Sequence, residues 1–255
     1  MTDIGIRDGS PIADPPAVPA SIAISVLGTF SLTVGGREVE GLPAGSQRLL
    51  VFLALHDRAV SRSAMAGTMW PDASNFNAGI SLRSALSRLE GTPRDAVVPT
   101  SDSLGLADHV TVDLRAAQAL AQRLLVPDTS PQGADLSPAA VGMLSEELLP
   151  DWYDDWVINE AEDWRELRVN ALEAQARFLT AAGRLSEATG PARAAIRVAP
   201  LRESANASLI RVHLAEGNQS EALRVFHRYE KLLQFELGLE PTPLLSDLIA
   251  NIRKG

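Results

Sequence analysis

Two regimes of hydrophobic spacing divide the chain. From Ile22 it runs Ile-Ala-Ile-Ser-Val-Leu-Gly, then Thr29-Phe-Ser-Leu-Thr-Val34, then Gly35-Gly36 and Arg37-Glu-Val39. Alternation around a double glycine predicts a short antiparallel meander. The period then lengthens. Leu49, Leu50, Phe52 and Leu53 fall on one stripe of a helix over 47–56, for which Ser46 is the expected N-cap. A second helix follows Ser61, also an expected cap, and stops near Trp70 because Pro71 cannot continue it. A third runs from Ser74 or Asn75 to Glu90, ended by Gly91 and Pro93, with Leu82, Leu86 and Leu89 as its buried stripe. Residues 96–99 and 104–112 then read as two strands joined by a turn over 100–103. The order is sheet, three helices, hairpin.

Beyond Asp113 the pattern is almost wholly helical, interrupted by a stretch bearing Pro and Gly over 127–138. Gly183-Arg-Leu-Ser-Glu-Ala188 aligns with Gly217-Asn-Gln-Ser-Glu-Ala222, a spacing of 34 residues, which is the period of tetratricopeptide helix pairs. In each copy a helix should end at the glycine and the next begin at Ser-Glu-Ala. A pair of this kind cannot bury its apolar face alone, so it should stack on the helices over 151–179 in a small right-handed array. The fold class expected is mainly α: an N-terminal winged helix-turn-helix (α+β) over 21–113, then an all-α tetratricopeptide-like domain over 114–255. Residues 1–20, with Pro11, Pro15, Pro16 and Pro19 among small and acidic neighbours, are expected to be a disordered tail.

Charge narrows the function. The 255 residues carry a formal charge of −9, which argues against nucleic-acid binding by the surface at large. Over 21–113, however, seven arginines stand against nine carboxylates, a net of −2, while 114–255 holds −5. Any DNA contact must therefore come from arginines gathered on one face. With no cysteine there is neither a disulfide framework nor a thiolate metal site, which suits a reducing compartment. The start lacks the basic and apolar regions of a secretory signal, and no apolar run reaches the roughly 20 residues needed to cross a bilayer. A cytoplasmic protein without membrane contact is expected.

The third helix is the sharpest chemical candidate. At about 100° per residue, Asn77, Ser81, Ser84 and Arg88 cluster opposite the leucine stripe, with Arg83 and Ser87 to one side. Arginine reads guanine bidentately, asparagine reads adenine, and serine reaches phosphate or base edges. The same pattern suits an ordinary solvated helix; its position after two helices and before a hairpin favours DNA. Residues 146–166 are densely acidic, with Trp152, Tyr153, Trp156 and Trp164 interleaved. They read as a solvated face over core aromatics, or as a contact surface for a basic partner, rather than as a catalytic or cation site. His56, His109, His213 and His227 show no metal-ligand spacing. No phosphate-binding loop, dinucleotide fingerprint, nucleophile elbow or zinc-protease motif occurs, so no cofactor and no enzymatic activity are expected.

Several segments carry a family resemblance. Ile24-Ser-Val-Leu-Gly-Thr-Phe-Ser-Leu32, Gln47-Arg-Leu-Leu50, Met69-Trp-Pro71 and Leu82-Arg-Ser-Ala-Leu-Ser-Arg-Leu89 resemble the winged helix of the Streptomyces antibiotic regulatory protein family. Leu148-Leu-Pro-Asp-Trp-Tyr-Asp-Asp-Trp156, Pro200-Leu-Arg-Glu-Ser204, Ala215-Glu-Gly-Asn218 and Glu236-Leu-Gly-Leu-Glu-Pro241 resemble that family's transcriptional activator domain. The resemblance implies an OmpR-type winged helix whose third helix enters the major groove of double-stranded DNA. On the matching positions, Asn77, Ser81, Arg83, Ser84 and Arg88 become the DNA-contact residues. It further implies head-to-tail dimers on promoter direct repeats, recruitment of RNA polymerase, and control of a secondary-metabolite (antibiotic) gene cluster. Two departures stand out: Leu89-Glu-Gly-Thr-Pro where relatives are more basic, and a wing bearing Asp102 and Asp108 without Lys or Arg. These keep open an alternative, a helical-repeat adaptor whose degenerate winged helix does not bind DNA alone.

Overall fold

A computed structural model describes residues 21–127 and 130–250; the expected tail over 1–20 and the last five residues lie outside them. The meander forms as β1 (Ile22–Ser25), β2 (Ser31–Val34) and β3 (Arg37–Glu38), with Ile22 opposite Val34 and Thr33 opposite Glu38. Ile22, Ile24 and Leu32 are buried while the alternate positions are less so, which is the period of a sheet covered on one face.

Three helices follow: α1 (Ala44–Ala54), α2 (Arg62–Met69) after the two-residue strand β4 (Val60–Ser61), and α3 (Asn75–Ser87). The expected cap of α2 forms, Ser61 accepting from the Ala64 N–H at 3.2 Å, and Ser74 caps α3 in the same way, accepting from the Asn77 N–H at 3.3 Å. Ser46 does not cap α1. The helix starts at Ala44 after Pro43, and Ser46, fully buried in the first turn, donates its hydroxyl to the Ala85 carbonyl at 2.8 Å. Pro43 holds the N-cap position and has no side-chain acceptor, while Ser46, already inside the helix, ties α1 to α3. α3 is also shorter than its sequence pattern. It ends at Ser87, and Gly91 at φ +60° turns the chain into a one-turn helix, α4 (Thr92–Asp95).

The expected strand over 104–112 is two strands. β5 (Val97–Pro99) and β6 (Ser103–Leu106) make the hairpin, with Val97 opposite Leu106. A turn closed by the Val110 N–H on the Ala107 carbonyl at 3.0 Å then redirects the chain. β7 (Val110–Val112) joins the other sheet, parallel to β1, giving the order β3-β2-β1-β7. Alternation alone cannot show which sheet a strand joins.

α5 (Asp113–Leu125) leaves β7 without a linker. A 3-10 turn (Gly133–Leu136) and α6 (Pro138–Ser145) lead to the 27-residue α7 (Asp155–Ala181), then α8 (Leu185–Val198), α9 (Glu203–Ala215), α10 (Gln219–Leu237) and α11 (Pro243–Ala250). The repeat is as expected. Gly183 and Gly217 adopt φ +72° and +73°, and in each copy the next N–H reaches back across the helix end, Arg184 to Leu179 at 2.9 Å and Asn218 to His213 at 2.8 Å. This left-handed glycine cap satisfies the last carbonyls and sets the turn between paired helices. α7 packs on α5, α8 and α9, so one long helix serves where the sequence suggested several.

The helical array closes onto the sheet and α1. The Val26 and Leu27 N–H groups donate to the Asp113 carboxylate at 2.9 and 3.2 Å. The Gly28 N–H donates to the Glu147 carbonyl at 2.6 Å and the Leu149 N–H to the Val26 carbonyl at 3.1 Å. Phe30 meets Trp152 and Phe52 meets Trp156, with ring centroids 6.3 and 5.3 Å apart, beside an Arg48–Asp154 ion pair at 2.7 Å. Trp164 is buried and donates its indole N–H to the Glu146 carbonyl at 3.0 Å. The tryptophans of the acidic stretch thus serve the core and the junction, while Tyr153 alone of its aromatics is largely exposed.

Candidate nucleic-acid interface

α3 is seated by small residues. Ala78, Leu82 and Ala85 are its buried positions, followed by Leu89 just past its end. A side chain at Gly45 would meet the Ala85 methyl at 3.6 Å, so α1 and α3 approach closely at the Ser46 hydrogen bond. The opposite face points away from the protein. It holds Phe76, Asn77, Ile80, Arg83, Ser87 and Arg88, all exposed, and no carboxylate occurs within the helix.

The five residues marked by the sequence share this helix but not one environment. Asn77, Arg83 and Arg88 are exposed; Ser81 and Ser84 are half-buried at the edge of the packed face. Arg88 is the helix C-cap, its N–H on the Ser84 carbonyl at 3.1 Å, and that same carbonyl accepts from the Ser87 hydroxyl at 3.0 Å. Ala78 and Ala85, rather than Leu86, flank Leu82 on the buried side, and Leu86 is only half-buried. This turns the outward face toward Ile80, Arg83 and Ser87. Neither Arg83 nor Arg88 has an ion-pair partner among the described residues.

Beside α3 lies a groove of about 710 Å³ bounded by the start of α2 and the tip of the β5–β6 hairpin, with Arg62, Ser63, Asn75, Gly79, Arg83 and Ser101 on its walls. The Arg83 guanidinium lies back over Gly79, 3.6 Å from where a methyl would stand. Arg62 is tied to the wing: its backbone N–H donates to the Asp102 carbonyl at 2.7 Å and its guanidinium to the Thr100 carbonyl at 3.2 Å. The turn is itself braced by the Thr100 and Ser103 hydroxyls, 2.6 Å apart. Two arginines from different helices therefore share one groove. Sequence reasoning missed Arg62 because the partner of its guanidinium, Thr100, lies 38 residues away; the one signal was its place directly after the Ser61 cap. It also passed over Phe76 and Ile80, apolar side chains at 74% and 44% exposure, which suit contact with thymine methyls or sugars.

The groove holds no acid-base pair, and no group of three or more His, Asp or Glu residues fit to hold a metal occurs among the described residues. No helix there is long and apolar enough to cross a membrane. A three-helix unit with a hairpin wing and an outward arginine-bearing third helix, joined to a helical-repeat array, defines the class of winged-helix transcription regulators.

Comparison with known proteins agrees. The family described as the bacterial transcriptional activator domain matches residues 112–253, and the chain belongs to that family. The Streptomyces griseus regulatory protein AfsR is 25% identical over 96% of this chain, which spans 26% of AfsR. In fold, the chain superposes on Mycobacterium tuberculosis EmbR with a TM-score of 0.69 at 23% identity, covering 92% of this chain and 65% of that one. The resemblance to the Streptomyces antibiotic regulatory proteins read from the sequence is borne out by these likenesses.

Proposed function

We propose that this protein is a sequence-specific DNA-binding activator that reads promoter direct repeats through α3 and recruits RNA polymerase through its helical array. The observation that carries this reading is the α3 face: exposed, free of carboxylates, and bearing two unpaired arginines. Arg83, Arg88 and Asn77 read base edges, Ser81 and Ser84 support them from the margin, and Arg62 at the wing takes the backbone phosphate. Residues 21–113 are the DNA-binding module and 114–255 the activator module. Two copies bind head to tail on the repeat, in the cytoplasm, at the promoters of a secondary-metabolite gene cluster. AfsR, a regulatory protein by name, supports the assignment.

A second reading has a specific observation in its favour. The wing tip carries Asp102 and no Lys or Arg, so an adaptor that does not bind DNA alone remains the competitor. Selection of bound sequences from a random duplex pool at moderate salt separates the two. Enrichment of a spaced direct repeat supports the activator; no enrichment under conditions where the protein stays folded favours the adaptor.

A further inference from the structure

Four exposed arginines line one surface cleft of the helical array, away from α3 and the wing. Arg193 and Arg197 stand one turn apart on α8, and Arg224 and Arg228 one turn apart on α10; both pairs line the same cavity of about 340 Å³. Its apolar walls include Ile196, Leu209 and Val225. Like charges one turn apart on a helix repel, and here two such pairs line one cleft. Nothing in the composition demands this, since 114–255 is net acidic.

Most other arginines of the array have a carboxylate partner, Arg177 and Arg211 being the exceptions among the described residues. Arg165 is held by Glu162, Arg184 by Glu187 and Arg202 by Glu173. In the cavity the sole carboxylate is Glu221, and Arg224 already holds it. The side chains of Arg193, Arg197 and Arg228 have no hydrogen bond or ion pair among the described residues. His213 lies behind them on α9, 5% exposed, with Nδ1 3.0 Å from the Glu216 carboxylate and Nε2 left without a partner there.

We propose that this cavity binds a phosphate dianion. A carboxylate is satisfied by one guanidinium fork; three free forks around one small space suit a group with three oxygens and nearly two charges. The volume lies at the lower end of small-molecule pockets, about 300–1,000 Å³, and leaves room for a phosphate and a small apolar body against Ile196 and Val225. The phosphate belongs to a small phosphorylated metabolite or to a phosphorylated serine side chain. Bound there, it bridges α8 to α10 and removes the repulsion between their arginine pairs.

The test is titration of the full chain with inorganic phosphate at constant ionic strength, followed by calorimetry and by the arginine Nε–H resonances. Saturable binding that shifts the Arg193, Arg197 and Arg228 signals is expected, and Arg193→Gln with Arg228→Gln should weaken it at least tenfold without lowering the unliganded melting temperature. Arg197→Lys, which keeps the charge and loses the fork, should weaken it severalfold. O-phosphoserine peptide and a nucleoside monophosphate are the two further arms, and whichever binds more tightly than phosphate identifies the source. Equal effects of chloride, binding by the double variant within twofold of wild type, or displacement of phosphate by duplex DNA would each overturn the proposal.

Discussion

Asp135 shows how a single side chain can organise a segment. Its carboxylate accepts from Arg123 at 2.8 Å and from the Gln132 N–H at 3.1 Å, while its carbonyl accepts from the buried Gln175 amide at 2.7 Å. The Arg123 hydrogen bond holds its carboxyl below the usual carboxylate range, against the opposing effect of burial. A folded-state value below the unfolded one adds stability above the ordinary range and loses it as the pH falls through the lowered value. Asp135→Asn should therefore cost about 1.5 kcal/mol near neutrality, and the gap to wild type should close in acid; urea unfolding at several pH values measures both. Ser74→Ala, which removes the α3 cap, should cost about 1 kcal/mol and fray the turn that carries Asn77, an effect read by hydrogen exchange. Ser61 was legible as a cap, and Ser74 as the start of α3, because capping depends on local sequence. The roles of Ser46 and Arg62 were not, because each depends on a partner brought close only by folding.

At the scale of elements, α3 and its hairpin could be placed from periodicity, and the glycine-ended helix pairs from self-comparison. The fate of β7 could not, since Val110, Thr111 and Val112 alternate equally well in either sheet and only the parallel pairing with Ile22 and Ile24 selects one. The outward face of α3 was legible only in part: the leucines suggested a stripe, but Ala78 and Ala85 at the α1 contact set the rotation. The junction between sheet and array rests on the Arg48–Asp154 pair and on Phe30, Phe52, Trp152 and Trp156. Both charged groups are about three-quarters buried at 28% and 24% side-chain exposure, so a double-mutant cycle of Arg48→Ala and Asp154→Ala should give a coupling of about 1 kcal/mol, above that of most exposed pairs. Leu172→Ala, in the buried middle of α7, should cost about 2–5 kcal/mol by denaturant unfolding.

For the whole molecule, a DNA-reading helix must be held firmly while its outer face stays free. The array closing on β1 and α1 leaves α3, Arg62 and the wing tip uncovered. A fragment ending at Asp113 should expose Phe30 and Phe52, unfold at lower denaturant than the full chain, and bind the same DNA motif more weakly. Removing Arg62 should weaken binding similarly across sequences and flatten its salt dependence, as loss of a phosphate contact does. Removing base-reading arginines should instead relax the sequence preference. The central claim, that α3 reads bases through Arg83 and Arg88, is tested most directly by repeating the random-duplex selection with the Arg83→Ala, Arg88→Ala double variant beside the wild type. A spaced direct repeat recovered by the wild type and lost by the variant is the predicted result; the same motif enriched equally by both would contradict it.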